Sequence, residues 1–192
     1  MAVNILAVDA TGEVLSVAAG AVVMRRASKK HDEALLPLVD AVLKKAKLTW
    51  SDLDAVAAAA GPGRFTGIRI GMSFAAAAGF QLKIPALAIS RLEAAAGKSG
   101  AERVLAALPG WKDEVYHQFF IRSKSQGEPA WNTPQDWPAA RDAAEKKGLV
   151  VAYGDTDASD LLPVASRFLL AKRIPPFKPF YLKPAGYEKP NR

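Results

Sequence analysis

The segment Gly61-Pro62-Gly63-Arg64-Phe65-Thr66-Gly67-Ile68-Arg69-Ile70-Gly71 constrains this chain more than any other. Its glycines and proline lie between an apolar run, Ala55–Ala60, and a long apolar pattern of helical period, Thr66–Leu82. That order dictates a buried strand entering a helix through a tight turn, the basic connection of α/β folds. Two phosphate-binding versions of such a turn fail here. A P-loop needs Lys after its last glycine, and no Lys follows Gly67 or Gly71. The dinucleotide fingerprint needs glycine where Thr66 stands and an acid about 20 residues further on, which is missing. What remains is a turn that positions the helix, with an anion at its exposed amides as the alternative.

The helix that follows is apolar on more than one side. Gly71, Ala75 and Gly79 recur at i, i+4 and i+8 and make a stripe of small residues, while Ile70, Phe74 and Leu82 lie elsewhere around the cylinder. In a small protein such a helix is expected to share one face with a partner helix, which the small stripe lets approach closely. Packing inside the chain itself is the alternative.

Around this centre the chain reads as an α/β protein. Asn4–Val8, Val14–Ala19 and Ala21–Arg26 form a three-stranded antiparallel meander, and His31–Ala46 is an amphipathic helix bent at Pro37. Ala86–Ile89 is a strand, and Ser90 caps a short helix ending at Gly97. The order βββαβαβα then closes at Gly97-Lys98-Ser99-Gly100, which divides the chain into lobes 1–98 and 99–192. Strands at Val104–Leu108, Glu114–Ile121 and Leu149–Tyr153, helices at Ala139–Lys147 and Ala158–Leu170, and an irregular connection over 126–138 fill the second lobe.

Composition removes several kinds of chemistry. The chain has no cysteine, so disulfide scaffolds, thiolate metal sites and a Cys nucleophile are excluded. Its two histidines, His31 and His117, stand in no metal-ligand spacing, and no Gly-x-Ser-x-Gly elbow is present. His117 alternates with Val115, Phe119 and Ile121 and reads as a structural histidine. Trp111, Trp131 and Trp137 read as core, loop or subunit contacts, with stacking on RNA bases as the alternative. The uncharged run Ile70–Leu82 is too short to span a bilayer, and Met1–Asn4 shows no signal-peptide pattern, so a soluble, cytoplasmic protein without membrane contact is expected. The net charge is +7, and residues 167–192 carry 7 basic residues against 1 acidic. That Pro-rich tail reads as a solvated face, or as a contact for an acidic partner such as nucleic acid.

Asp9 after the first strand, His31-x-Glu33-x-Leu35-Leu36-Pro37, Leu53-Asp54-Ala55-Val56 and the Gly61–Gly71 segment occur in one order. Together they resemble the TsaB (YeaZ) family, strongly over about residues 1–97 and more weakly at Glu114-Val115-Tyr116, Tyr153-Gly154-Asp155 and Tyr181-Leu182. The sequence departs from the family pattern at Arg64, at Asp9-Ala10-Thr11-Gly12 and at Gly110-Trp111-Lys112-Asp113. The resemblance implies a two-lobed actin-like fold (the sugar kinase, heat-shock 70 and ribonuclease H-like architecture) with a reduced C-terminal lobe. It also implies a non-catalytic scaffold in the complex that transfers threonylcarbamoyl to adenosine 37 of tRNA. A TsaD-type catalytic subunit and a TsaE-type ATPase would be its partners, a homodimer its state when alone, and tRNA would be met through the complex.

The same resemblance places pairing on the first two helices, here through His31, Leu35, Leu38 and Val42 and through Arg69, Gly71, Met72, Ala75 and Gly79. Gly61, Pro62, Gly63, Phe65, Thr66 and Gly67 form a structural loop. No cofactor is expected on this chain alone, ATP and Mg being used by the complex. Asp9 and Thr11 are vestigial candidates for the phosphate and metal corner of an actin-like site. The competing reading is a stand-alone actin-like ATPase or phosphotransferase, and a third is direct tRNA binding by the basic tail.

Overall fold

β1 (Ile5–Asp9), β2 (Val14–Ala19) and β3 (Val22–Ala27) form the expected meander, and α1 (His31–Ala46) follows it. β4 (Ala55–Gly61) and β5 (Ala86–Ser90) then add in parallel on the far side of β1, joined by α2 (Phe65–Leu82). The sheet order is β3-β2-β1-β4-β5. The computed structural model describes residues 3–182, so the end of the basic tail, 183–192, lies outside the described residues. α1 begins at His31 and continues through Pro37 as one helix.

The alanine-rich strand β4 is buried along its whole length because both faces of the sheet are covered. Val56, Ala58 and Ala60 join Leu6 and Val8 in a core beneath α1 and α2. Ala55, Ala57 and Ala59 join Ile5 and Ala7 in a second core on the opposite face. Small side chains on a strand buried on both faces let helices lie close on either side.

α3 (Arg91–Ser99) leads into a second sheet of β6 (Arg103–Pro109), β7 (Val115–Ile121), β8 (Lys124–Asn132) and β9 (Val150–Tyr153), ordered β8-β7-β6-β9. α4 (Trp137–Lys146) precedes β9, and α5 (Ala158–Leu170) follows it. The two sheets and their helices make the two-lobed actin-like fold, with four strands in the second sheet against five in the first. The described residues contain no helix long and apolar enough to cross a membrane.

Two features differ from expectation. The stretch read as an irregular connection from 126 is largely β8, which pairs with β7. Arg122 and Ser123 make the turn with φ of 48° and 60°, the geometry of a tight hairpin. Gly127 and Pro129 hid this strand, and both are tolerated because β8 is an exposed edge. The helices also cross between lobes. α5 packs Ala158, Leu161, Val164 and Ala165 onto the first sheet, whereas α3 turns Leu92, Ala95 and Ala96 toward β6 and β7.

α2 lies so close to the β1–β2 turn that a Cβ on Gly67 would sit 2.0 Å from the Ala10 carbonyl oxygen. At Gly71 the nearest atoms would be ordinary contacts, Val8 Cγ1 at 3.8 Å and Ala58 Cβ at 3.9 Å. Gly67→Ala is therefore expected to destabilise by about 1–3 kcal/mol or more through overpacking against backbone. Gly71→Ala is expected to be neutral or to stabilise by up to about 1 kcal/mol through helix propensity. Urea unfolding midpoints of the two variants test this contrast.

Candidate functional site

A buried ion pair within the first lobe lies where Thr156 and Asp155 of the second lobe meet it. Asp9, at the end of β1, and Arg91, the first residue of α3, each keep only 3% of their side chain exposed, with Arg91 Nε 3.2 Å from Asp9 Oδ2. The other Asp9 oxygen, Oδ1, accepts from the Thr11 backbone N–H at 2.8 Å and from Thr11 Oγ1 at 2.5 Å. The guanidinium reaches further: Nη1 donates to the Pro62 carbonyl at 2.9 Å, Nε to Thr156 Oγ1 at 3.1 Å, and Nη2 to Asp155. One side chain thus ties the first strand, the Gly-Pro-Gly loop and the entry to α5 together. Beside it, Ser16 Oγ accepts from the Ala158 N–H at 2.9 Å, and Arg25 pairs with Asp157. Burial pushes the Asp157 carboxyl up, but hydrogen bonds from Ser159 and Arg25 outweigh it and hold the group below its usual range.

The loop residues gather where the sequence placed them. Gly61 adopts φ of 112°, closed to most side chains, and a Cβ there would lie 2.5 Å from the Phe180 carbonyl oxygen. The peptide from Gly61 to Pro62 is cis. Gly63 sits against Thr11, and the Arg64 N–H donates to the Thr11 carbonyl at 2.8 Å. Phe65 stacks on Tyr181 with ring centroids 5.0 Å apart, and the Arg69 guanidinium lies 3.9 Å above the Phe65 ring. The tail therefore returns from the second lobe to the loop, where the Phe180 N–H donates to Ala60 O at 2.7 Å. Thr66, exposed, lines a hollow of about 440 Å³ with His31, Arg64 and Lys29. His31 is buried, its Nδ1 3.0 Å from the Ala10 carbonyl and its Nε2 3.2 Å from the Glu13 carbonyl, so it anchors the β1–β2 turn to α1.

In the cleft above Asp9, about 230 Å³, the lining includes Asp155, Asp157 and Arg25. A triphosphate would face carboxylates there, and a metal on Asp9 would have to displace the Arg91 guanidinium. Among the described residues no three carboxylate, imidazole or thiol groups converge as a metal set. This donor set does not fit a nucleotide with its metal.

The residues expected at a partner interface are mostly turned inward. Leu35, Leu38 and Val42 of α1 and Met72 and Ala75 of α2 are buried in the core beneath the two helices. The stripe Gly71, Ala75 and Gly79 packs on the chain's own sheet, and a Cβ on Gly79 would lie 3.0 Å from the Ile84 carbonyl oxygen. Its small size serves helix-on-sheet packing, which corrects the expectation of a partner seam. Of the nine residues named, Arg69 alone is exposed.

Sequence reasoning missed Arg91 and Thr156, and it met Asp155 only within the Tyr153-Gly154-Asp155 echo of the family pattern. Arg91 reads as a solvated charge, yet a cation in the first turn of a helix opposes the macrodipole. That mismatch at the Ser90 cap was the available signal. In the second lobe His117 meets Asn132 and Trp137, the latter at 5.7 Å between ring centroids, and Trp137 continues to Tyr153 at 6.0 Å. Burial lowers the His117 pKa below its usual value, against the pull of the Asn132 hydrogen bond.

Removing one partner of the Asp9–Arg91 pair leaves a buried charge uncompensated, so Arg91→Ala should cost about 3–5 kcal/mol. Arg91→Ala combined with Asp9→Ala should cost less than the sum of the single variants, a coupling measurable by denaturant unfolding. For His117 the native state favours the neutral ring, so the unfolded chain takes up protons first. Its stability contribution is complete above the unfolded pKa of about 6.5 and is lost as pH falls below it. His117→Gln should flatten the fall in unfolding midpoint between about pH 7 and pH 5.

The family model described as TsaD, tRNA N6-adenosine threonylcarbamoyltransferase, matches residues 6–131. The tRNA threonylcarbamoyladenosine biosynthesis protein TsaB of Escherichia coli (strain K12) is 30% identical over 197 residues, covering 84% of this chain and 85% of that protein. A tRNA N6-adenosine threonylcarbamoyltransferase of Legionella pneumophila (strain Lens) is 48% identical over 75 residues, covering 39% of this chain and 22% of the relative. Among solved structures, YeaZ from Pseudomonas aeruginosa superposes with a TM-score of 0.74 at 26% identity, covering 94% of this chain and 100% of that one. With its motifs, two-lobed fold and match along most of a TsaB chain in agreement, the protein belongs to the TsaB (YeaZ) family.

Proposed function

We propose that the chain is a non-catalytic subunit in the formation of threonylcarbamoyladenosine on tRNA, pairing with a TsaD-type catalytic subunit through the outer faces of α1 and α2. The observation that carries this reading is the exposed apolar surface of α2, joined on α1 by Leu36 and Pro37 among the charged Asp32, Glu33, Asp40, Lys44 and Lys45. Phe80 on α2 is 86% exposed and Leu36 on α1 is 56% exposed, although both helices already bury an inner stripe in the core. Ser73, Ala76 and Ala77 expose small side chains on the same outer side of α2. An aromatic anchor beside small residues suits close packing against another protein.

The choice of partner is supported by the matches: this chain is similar to TsaB-named relatives, and a threonylcarbamoyltransferase family model matches residues 6–131. The outer face of α1 and α2 would also serve a homodimer when the catalytic subunit is absent. A TsaE-type ATPase would join the assembly elsewhere, with ATP and Mg used there. The cleft favours this reading over a stand-alone ATPase, because the Arg91 guanidinium holds the corner that phosphate or metal would need.

Phe80→Glu and Leu36→Glu change exposed side chains, so melting temperatures should stay within about 2 °C of the parent. Affinity for a TsaD-type subunit should fall by about 30-fold or more for Phe80→Glu, the loss of a hot-spot residue. Complex mass and titration calorimetry read the result. Unchanged binding in both variants would sink the assignment of this face.

A further inference from the structure

We propose that a basic groove between the β7–β8 turn and the C-terminal end of α5 holds the sugar–phosphate backbone of the tRNA. The groove encloses about 930 Å³, and its lining includes Arg122, Lys124, Arg167, Lys172 and Arg173 against a single acid, Glu93. That acid is already engaged by Arg167, and Arg122 pairs with Glu102. Lys124, Lys172 and Arg173 have no ion pair among the described residues. The hydroxyls of Ser123 and Ser125, also on the lining, make no hydrogen bond among the described residues. Among the described residues, three uncompensated cations and two free hydroxyls therefore line one groove, and α5, which forms part of its wall, packs on the face of the first sheet opposite α1 and α2.

The backbone brings these groups together at positions where glycine or asparagine would be cheaper. Arg122 and Ser123 occupy the turn at φ of 48° and 60°, and Lys172 ends α5 at φ of 51°. At Lys172 the chain reverses, with its N–H on the Leu169 carbonyl at 3.0 Å and the Arg173 N–H on the Phe168 carbonyl at 3.1 Å. The reversal carries Arg173, Ile174 and Pro175 back along the groove wall. Phe168, Ile174 and Pro175 supply apolar surface for ribose and base edges, while the cations and hydroxyls suit successive phosphates. A groove of this size with cations on both walls suits a chain of phosphates better than one isolated anion. The choice of RNA over an acidic protein rests on the role in tRNA modification proposed above.

The test uses the full chain and an unmodified, fluorescently labelled tRNA transcript, with anisotropy titrations across a series of salt concentrations. Lys124→Ala, Lys172→Ala and Arg173→Ala combined should weaken binding at least 10-fold and reduce the salt slope by about 2–3, the loss of three phosphate contacts. A control that removes two cations at the end of α4, Lys146→Ala with Lys147→Ala, should retain parental affinity and slope. Lys172→Gly relieves the left-handed backbone while removing one charge, so it should fold at least as well as the parent and lose about one unit of slope. An unchanged slope in the triple variant, equal weakening by the control, or no tRNA binding by the parent chain overturns the groove. Displacement of the tRNA by polyglutamate of equal charge at equal concentration assigns the groove to an acidic protein and overturns the RNA proposal. Titration of the triple variant with a TsaD-type subunit separates the two readings. Retained subunit binding with lost tRNA binding supports the groove. A parent chain that ignores the subunit yet binds tRNA through these residues rejects the pairing and leaves the groove standing.

Discussion

The contact between Asp9 and Arg91 sets the geometry on which the rest of the molecule depends. Burying both charges is unfavourable unless each keeps partners, and here the partners come from four separate stretches of chain. Asp9 fixes the turn after β1 through Thr11. Arg91 fixes the loop after β4 through the Pro62 carbonyl and the approach to α5 through Thr156 and Asp155. With those points fixed, α2 starts directly over the β1–β2 turn, α3 leaves the first sheet toward the second, and α5 returns to the first. The same guanidinium stands where an actin-like cleft would need room for phosphate or metal. A single arginine thereby fills that corner and joins the first strand, the glycine loop and the approach to α5.

Close packing over the β1–β2 turn also explains the two faces of α2. Gly67, Gly71 and Gly79 bring the helix down onto strands whose facing side chains, Ala58 and Ala86 among them, are equally small. The inner contact is so close that the flanking rows Ile70, Phe74 and Leu82 reach the core edge and become partly buried. The outer row, ending at Phe80, is then left over as apolar surface that folding does not need. The stripe expected at a partner seam is the face that packs on the chain's own sheet. Small residues at i, i+4 and i+8 specify close approach without saying to what. Only the sheet position, which depends on long-range pairing, decides that.

Legibility followed locality. The meander, α1, β4, α2 and α3 were readable because each carries its own period, cap or breaker: Ser90 caps α3, and Gly61-Pro62-Gly63 ends β4. β8 was unreadable because its residues reflect an exposed edge, where Gly127 and Pro129 cost little and no apolar alternation is required. The crossing of α5 to the first sheet was hidden for a different reason. Its amphipathic pattern states that one face is buried, but Ala158, Leu161, Val164 and Ala165 would fit either sheet. The site shows the same limit more sharply. Asp9 and the glycine loop stood out by motif, whereas Arg91, Asp155 and Thr156 matter only through contacts 64 and 65 residues apart in sequence.

The charge of the chain resolves in the same way. As a total, +7 says little, and as a tail it suggests a loose polybasic end. The fold divides that tail into parts with different surroundings. Phe180 and Tyr181 dock on the glycine loop, so the segment before them is tethered at both ends. Lys172 and Arg173, just after α5, are held beside the β7–β8 turn, where Lys124 adds a cation from a distant part of the sequence. Cations held by a hairpin and a helix end lose less freedom on meeting a polyanion than cations on a free tail would. The tethered tail is what converts a compositional excess of charge into a surface with a shape.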